Sequence, residues 1–332
     1  LLTLKIFNRK TMALLSALFL SVLPWFFIFS RTGYEATAGL MFYLLGVYFA
    51  LFAGKNKVFI LLSTLSFIVS LYSYNSFRII TPLTIVCLAA YLVWAGQINF
   101  KKVIGVVLIS VFIFILSLVP IYRLASSEGV TRLQTVGIGS GGVGGQEIIM
   151  IFLQNYISQF NPHFLFISGD GNLRSQTGNS GQLYLVNLLL IIFGVIFVLK
   201  DRKPLQYLHI LLMIIAPIPA AITKESPHAL RAISEVPFLA ILSAVGAVYI
   251  LDRVKFRRLL LCALVVSFLV MFAVYFRNFL TEYPKISSKD WQYGYKKIFT
   301  EFKGEFGQFE KIIVSDYMAQ PYIFALYYLG VD

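Results

Sequence analysis

Nine apolar runs, most of them 17–19 residues long, constrain this chain more than any other feature. They cover about 12–29, 36–53, 58–74, 80–96, 103–120, 183–200, 206–222, 233–251 and 258–276. A helix of roughly 20 apolar residues matches the ~30 Å hydrocarbon core of a bilayer. Hydrophobic residues make up 58% of the 332 and charged residues 13%, about half the charged share of an ordinary globular domain. A soluble fold of this length has no interior able to hide so much apolar surface. The sequence therefore predicts an all-α polytopic membrane protein with about nine transmembrane helices. Cys87 and Cys262 each fall inside an apolar run, where a thiol packs as a small hydrophobe rather than as half of a disulfide.

Basic residues set the expected topology. The clusters Lys5/Arg9/Lys10, Lys55/Lys57, Lys101/Lys102, Lys200/Arg202/Lys203 and Arg253/Lys255/Arg257/Arg258 hold 14 of the 28 Lys and Arg. With nine spans all five clusters lie on one side, which the positive-inside rule makes cytoplasmic. The connections 30–35, 75–79, 121–182 and 223–232 and the tail from Arg277 then face outward. The tail's seven basic residues are matched by seven acids. The formal charge of +13 thus reflects topology and attraction to anionic lipid, not a nucleic-acid footprint.

The chain divides into a transmembrane helical domain, 1–277, and the start of a small extracytoplasmic α/β domain, 278–332. The opening "LLTLKIFNRK" has no Met and places an apolar stub before its basic cluster; a fragment is expected at this end, and truncation within the tail. In the long outer loop, the glycine-rich "VGIGSGGVGG" (136–145) lacks the Gly-Lys-Ser/Thr of a phosphate loop and reads as a flexible link. The stretch 146–168 is apolar but interrupted by Gln154, Asn155, Gln159 and Asn161, the pattern of a helix lying in the membrane interface. In the tail, Trp291, Tyr295, Ile298, Phe299, Phe302 and Phe306 recur at helical spacing behind a Ser287 or Ser288 cap. "KIIVSD" (311–316) reads as a buried strand, and 320–330 as a helix with Pro321 in its first turn.

Four polar clusters fall on the predicted outer side. "SRTGYEA" carries Arg31 and Glu35, four apart and able to pair on one helical face. "YSYNSFR" carries Arg78. "GDGNLRSQTGNSGQLY" carries Asp170, Asn172 and Arg174. "TKESPHALRAISEVP" (223–237) carries Glu225, His228 and Arg231. Arginines at span ends often only snorkel to headgroups. Several beside other polar groups, at the edge of hydrocarbon, instead suggest a wet cavity. A guanidinium fork suits a phosphate there. The residues point to no particular cofactor; Asp170 with Glu35 could hold a divalent cation, and Asp170, Asn172 and Glu225 are candidates for substrate, acceptor or metal contact, though no spacing demands a metal. His209, inside a span, reads as a core histidine.

In this order, "SRTGYEA…GLMFYLLGVYFAL", "SYNSFRIITPL", "FISGDGNLRSQTGNSGQLYL", "ESPHALRAISEVP" and "WQYGYKKIF" resemble a group of GT-C membrane glycosyltransferases. These are related to protein O-mannosyltransferases and lipid A aminoarabinose transferases. The resemblance runs from about residue 8 to 328 and is most specific in the GDGNxR and SPHALR stretches. It implies a polyprenyl-phosphate-linked sugar as donor and a lipid, protein or glycan as acceptor. The reaction would take place on the outer face of the plasma membrane. Arg31 would help hold the donor phosphate and Glu35 would support the active site. Arg78, Arg174, His228 and Arg231 are further candidates for phosphate or acceptor binding. The family's main catalytic acid belongs to a first outer loop upstream of residue 1, so these 332 residues alone are expected to be inactive. Two other readings share the outer arginines: an O-antigen polymerase or ligase, and a lipid-linked glycan flippase or transporter. A transporter would place polar residues near the midplane and show internal repeats; the clusters sit at one face and no repeat is visible.

Overall fold

Each of the nine apolar runs carries a helix in the computed structural model, which describes residues 1–124, 135–140, 142, 144–317 and 320–330. The helices are α1 (Leu2–Phe7), α2 (Lys10–Val22), α3 (Pro24–Arg31), α4 (Glu35–Ala50), α5 (Val58–Ser73), α6 (Asn75–Trp94), α7 (Phe100–Leu124) and α8 (Gly145–Ser158). There follow α9 (Leu185–Asp201), α10 (Pro204–Ile215), α11 (Ile218–Ala221), α12 (Val236–Leu251), α13 (Arg257–Thr281), α14 (Tyr283–Ile286), α15 (Tyr293–Glu301) and α16 (Pro321–Leu329).

Five stretches are long and apolar enough to cross a membrane: α6, Lys101–Arg123 in α7, Pro204–Ala221 through α10 and α11, Ile233–Leu251 through α12, and α13. The pair α2 and α3 makes a sixth if counted as one span, bent by 60°. The bend follows from Pro24, which has no N–H to continue the helix; the next N–H, of Trp25, donates to Gln182 O at 3.0 Å instead. Helices α4 and α5 have 16 residues and α9 has 17, a rise of about 24–26 Å. The expectation of nine spans is therefore met in part: nine helical segments, of which five or six reach spanning length among the described residues.

Burial orders the bundle. The Ile233–Leu251 span is 94% buried, whereas Lys101–Arg123 is 6% and Arg257–Thr281 11% buried. Helix α12 is thus the centre, and α7 and α13 turn apolar faces outward. Against α12 lie α2 and α9. The contact with α9 needs small residues: a Cβ on Gly246 would stand 1.8 Å from Leu190 O, and one on Gly194 2.2 Å from Leu242 O. Backbones this close gain dispersion contact along their length, and Asn187 Nδ2 adds a hydrogen bond to Ser243 Oγ at 3.1 Å.

Four of the five basic clusters meet at one end. Arg9 pairs with Asp252 at 2.5 Å. Lys5 and Lys55 both stand over the Phe52 ring, and Lys200 and Arg253 over Tyr249. The polar connection 223–232 lies at the other end of α12, and there helix α8 docks. Ile149, Met150, Leu153 and Ile157 of α8 are exposed, while Asn155 Nδ2 donates to Thr223 O at 2.8 Å and Ala221 O at 3.2 Å. In the glycine-rich run, Lys224 N–H donates to Val136 O at 2.9 Å; positions 141 and 143 of that run lie outside the described residues.

The tail departs from expectation in three ways. Helix α13 continues past the domain boundary at 277, to Thr281. Neither Ser287 nor Ser288 caps a following helix; their hydroxyls donate backwards to Tyr283 O and Lys285 O, and α15 starts only at Tyr293. The 311–316 strand is absent, and no strand occurs among the described residues. A lone strand leaves its backbone donors and acceptors unpaired, and the described tail offers no second strand to receive them. The α/β expectation for the tail is thus replaced by short helices. Helix α16 does begin at Pro321, where a missing N–H costs nothing.

Candidate functional site

Two loops far apart in sequence, joined through Asp170 and Ala229, meet at the end of the bundle opposite the basic clusters. The first is the Gly169–Arg174 turn. Asp170 Oδ1 accepts the Asn172 N–H at 2.9 Å, and Asn172 Oδ1 accepts the Arg174 N–H at 2.9 Å. Each side chain folds back on the backbone two residues ahead, as Asp and Asn do in turns. Gly169, at φ +74°, supplies the left-handed backbone that starts it.

The second loop is the hinge between α11 and α12. Asp170 Oδ2 accepts the Ala229 N–H at 2.7 Å, tying turn to hinge. From the opposite direction, Trp25 Nε1 donates to Ala229 O at 3.0 Å. A third support comes from Gln159, which is fully buried. Its Oε1 accepts the His228 N–H at 3.3 Å and its Nε2 donates to Ser226 Oγ at 2.7 Å. The hinge is short and irregular, yet side chains from α3, α8 and the 169–174 turn hold its backbone in place.

Three charged or ionisable side chains project from this scaffold. Arg231 donates to Thr223 Oγ1 at 2.8 Å and to Glu225 Oε2 at 3.2 Å. His228 lies between two carboxylates, with Nε2 3.7 Å from Glu225 and Nδ1 3.9 Å from Asp170. Both distances exceed a hydrogen bond. Burial, then the Arg231 charge, holds the imidazole down at about 3. The ring is therefore neutral at physiological pH, and neither contact is an ion pair there. Burial also pushes the Asp170 carboxyl above its ordinary value, against the two N–H groups that favour its charged form. Glu225 differs from both: its side chain is 73% exposed.

The structure thus gathers Asp170, Asn172, Glu225, His228 and Arg231 from the sequence candidates. It does not gather the rest into the same cluster. Arg31 ends α3 and Glu35 begins α4, with Gly33 at φ +69° between them. The pairing expected on one helical face is not formed, because the helix breaks between the two residues. Arg31 instead stands over the Phe27 ring, 5.4 Å from its centre. Arg78 donates from Nε to Leu71 O at 3.4 Å, at the junction of α5 and α6. Burial, more than the opposed charges of Arg174 and Glu35, raises the Tyr34 hydroxyl above its ordinary value, and the Tyr34 ring neighbours Trp291 at 6.4 Å. His209 is buried between the rings of Phe7 and Phe238, in the core as expected, but neither ring nitrogen has a hydrogen-bond partner among the described residues.

Sequence reasoning missed Trp25, Gln159 and Thr223. Gln159 had a visible signal, a polar residue recurring in an apolar stretch beside Asn155. Trp25 had none, since a tryptophan in an apolar run is ordinary. No group of three or more His, Cys, Asp or Glu able to hold a metal ion occurs among the described residues. Chemically, the hinge offers a guanidinium with two of its five N–H groups engaged within the protein, a neutral imidazole and an exposed carboxylate, all on a rigidly held loop. No protein-family model, curated protein or solved structure matches this chain.

Proposed function

We propose that the chain is an integral membrane glycosyltransferase that moves a sugar from a polyprenyl-phosphate donor to a lipid, protein or glycan acceptor. The observation that carries this reading is the joining of the Asp170 turn to the Glu225–Arg231 hinge at one end of an apolar bundle. A guanidinium held there at the edge of hydrocarbon suits a lipid whose headgroup is a phosphate. In this reading all nine helical segments lie in the plasma membrane and the hinge faces outward, with the basic clusters inward.

The chemistry divides into two roles. The acceptor hydroxyl loses its proton to a carboxylate, and its oxygen attacks the anomeric carbon. The bond from that carbon to the phosphate oxygen breaks, and the polyprenyl phosphate departs with the electron pair. Arg231 stabilises the charge on the departing phosphate, and His228 donates to it as a neutral ring. Asp170 is a positioning residue that fixes the hinge backbone through Ala229. Arg31, Arg78 and Arg174 are secondary phosphate or acceptor contacts, Glu35 a supporting carboxylate, and Asn172 and Glu225 acceptor-side groups.

The test is binding in detergent micelles, with a short-chain polyprenyl phosphate compared against the matching polyprenol. The wild-type chain should prefer the phosphate, and Arg231→Ala should weaken phosphate binding by about tenfold, the ~1.4 kcal/mol of one lost charge-assisted contact. The polyprenol should bind both forms alike. Equal binding of phosphate and alcohol by the wild type, or an Arg231→Ala affinity equal to wild type, overturns the reading.

A further inference from the structure

A second polar site lies next to the hinge and has no part in the phosphate reading. Glu235 caps the N-terminus of α12 and is fully buried. Neither of its carboxylate oxygens has a hydrogen-bond partner, and no ion pair reaches it among the described residues. A buried carboxylate in this condition is costly, and ionisable groups inside membrane bundles mark functional sites.

Its surroundings are equally unusual. The Pro204–Ala221 span is broken after Ile215, where α10 stops and α11 resumes at Ile218. Pro219 withholds the N–H group that Ile215 O would receive in a continuous helix, and Met213 O receives the Ala216 N–H at 3.3 Å in place of the one Pro217 lacks. The broken end is beside Glu235: the neighbouring Ser234 Oγ donates to Ala216 O at 3.2 Å. Tyr156 of α8 donates from its hydroxyl to Ile214 O at 2.8 Å, at the same broken end. A helix C-terminus carries partial negative charge. It adds to the attraction of the carboxylate for a cation, against the partial positive charge of the α12 N-terminus that Glu235 caps.

We propose that Glu235 and the C-terminal carbonyls of α10 bind a sodium ion. A monovalent ion cancels the single carboxylate charge, whereas a divalent ion would leave a net positive charge buried. A proton would neutralise the carboxylate but still leave a buried hydroxyl and carbonyl without partners. Hard oxygen donors from one carboxylate and from unwound main chain match what sodium accepts at broken membrane helices. The ion would lock the α10–α11 break against the first turn of α12 and so hold the hinge that carries His228 and Arg231.

The experiment is thermal unfolding of the purified chain in sodium, potassium and choline chlorides at equal ionic strength. Sodium should raise the melting temperature by about 3 °C or more over choline, saturably, with potassium weaker. Glu235→Gln should abolish the sodium-specific rise, and Glu235→Asp should retain it with a half-saturating sodium concentration raised at least about threefold. If Glu235→Gln fails to fold, the Glu235→Asp titration decides. No sodium-specific rise in the wild type, an equal rise in Glu235→Gln, or an unmoved midpoint in Glu235→Asp overturns the proposal. None of these readouts involves polyprenyl phosphate, so the site stands or falls apart from the glycosyltransferase reading.

Discussion

Replacing Asp170 with alanine should detach the hinge from the 169–174 turn. The carboxylate is 5% exposed and accepts two main-chain N–H groups, from Ala229 at 2.7 Å and Asn172 at 2.9 Å. A hydrogen bond to a charged group contributes about 1.5–3 kcal/mol, so the gross loss is about 3–6 kcal/mol. Part of this is returned, because burial already disfavours the ionised carboxyl. The net destabilisation should be about 2–4 kcal/mol, which in a chain of this size lowers the melting temperature by roughly 4–10 °C. Asp170→Asn keeps one acceptor oxygen and should lose about half as much. Differential scanning fluorimetry in detergent measures both. Limited trypsin digestion supplies a local readout, because Lys224 is exposed in the hinge and should be cleaved faster once Ala229 is released. Glu225→Gln, at a largely exposed carboxylate, is the control and should melt within about 1 °C of wild type. An Asp170→Ala protein with wild-type melting and unchanged cleavage at Lys224 would refute the claim that this carboxylate holds the hinge.

Acid should destabilise the folded chain through His228. Its folded value of about 3 lies below the ordinary 6.5, so the unfolded state takes up the proton first. Stability falls as pH drops from about 6.5 towards 3, by at most about 1.4 kcal/mol per unit, and His228→Asn should flatten the melting-temperature slope over that range. Gly246→Leu should prevent assembly of α9 on α12, since even a Cβ there stands 1.8 Å from Leu190 O; recovery of a folded monomer by size-exclusion chromatography would contradict this packing. Gln159→Leu removes the partner of the His228 N–H and one of the three partners of Ser226 Oγ. It should cost about 2 kcal/mol in stability and lower affinity for a polyprenyl phosphate without changing affinity for the polyprenol, measured as in the Arg231 experiment.

The helices were legible because hydrocarbon-length apolar runs leave a chain few alternatives. Their lengths were less so. The apolar runs extend to 53 and 96, yet α4 ends at Ala50 and α6 at Trp94, in turns that a hydropathy window does not see. The strand at 311–316 failed for a related reason. A short apolar run suits a strand only if another strand is present to pair with it, and composition near Ile312 and Ile313 carries no information about a partner elsewhere.

The site was legible by residue type and not by arrangement. Asp170 and Arg231 stood out because charge is rare in this chain, and rarity near hydrocarbon is a real signal. The sequence gives Asp170 and Glu225 the same chemistry, yet the first is buried against main-chain donors and the second is exposed. That difference depends on Trp25, Gln159 and Ala229, which position the hinge backbone and carry no charge. The same logic hid Glu235. It lies in "SEVP", at the edge of an apolar run where a glutamate ordinarily meets water, and only the proline-broken end of α10 packed beside it makes the carboxylate unusual. In a chain where few residues are ionisable, the chemistry of each is set by which backbone groups are left unpaired around it.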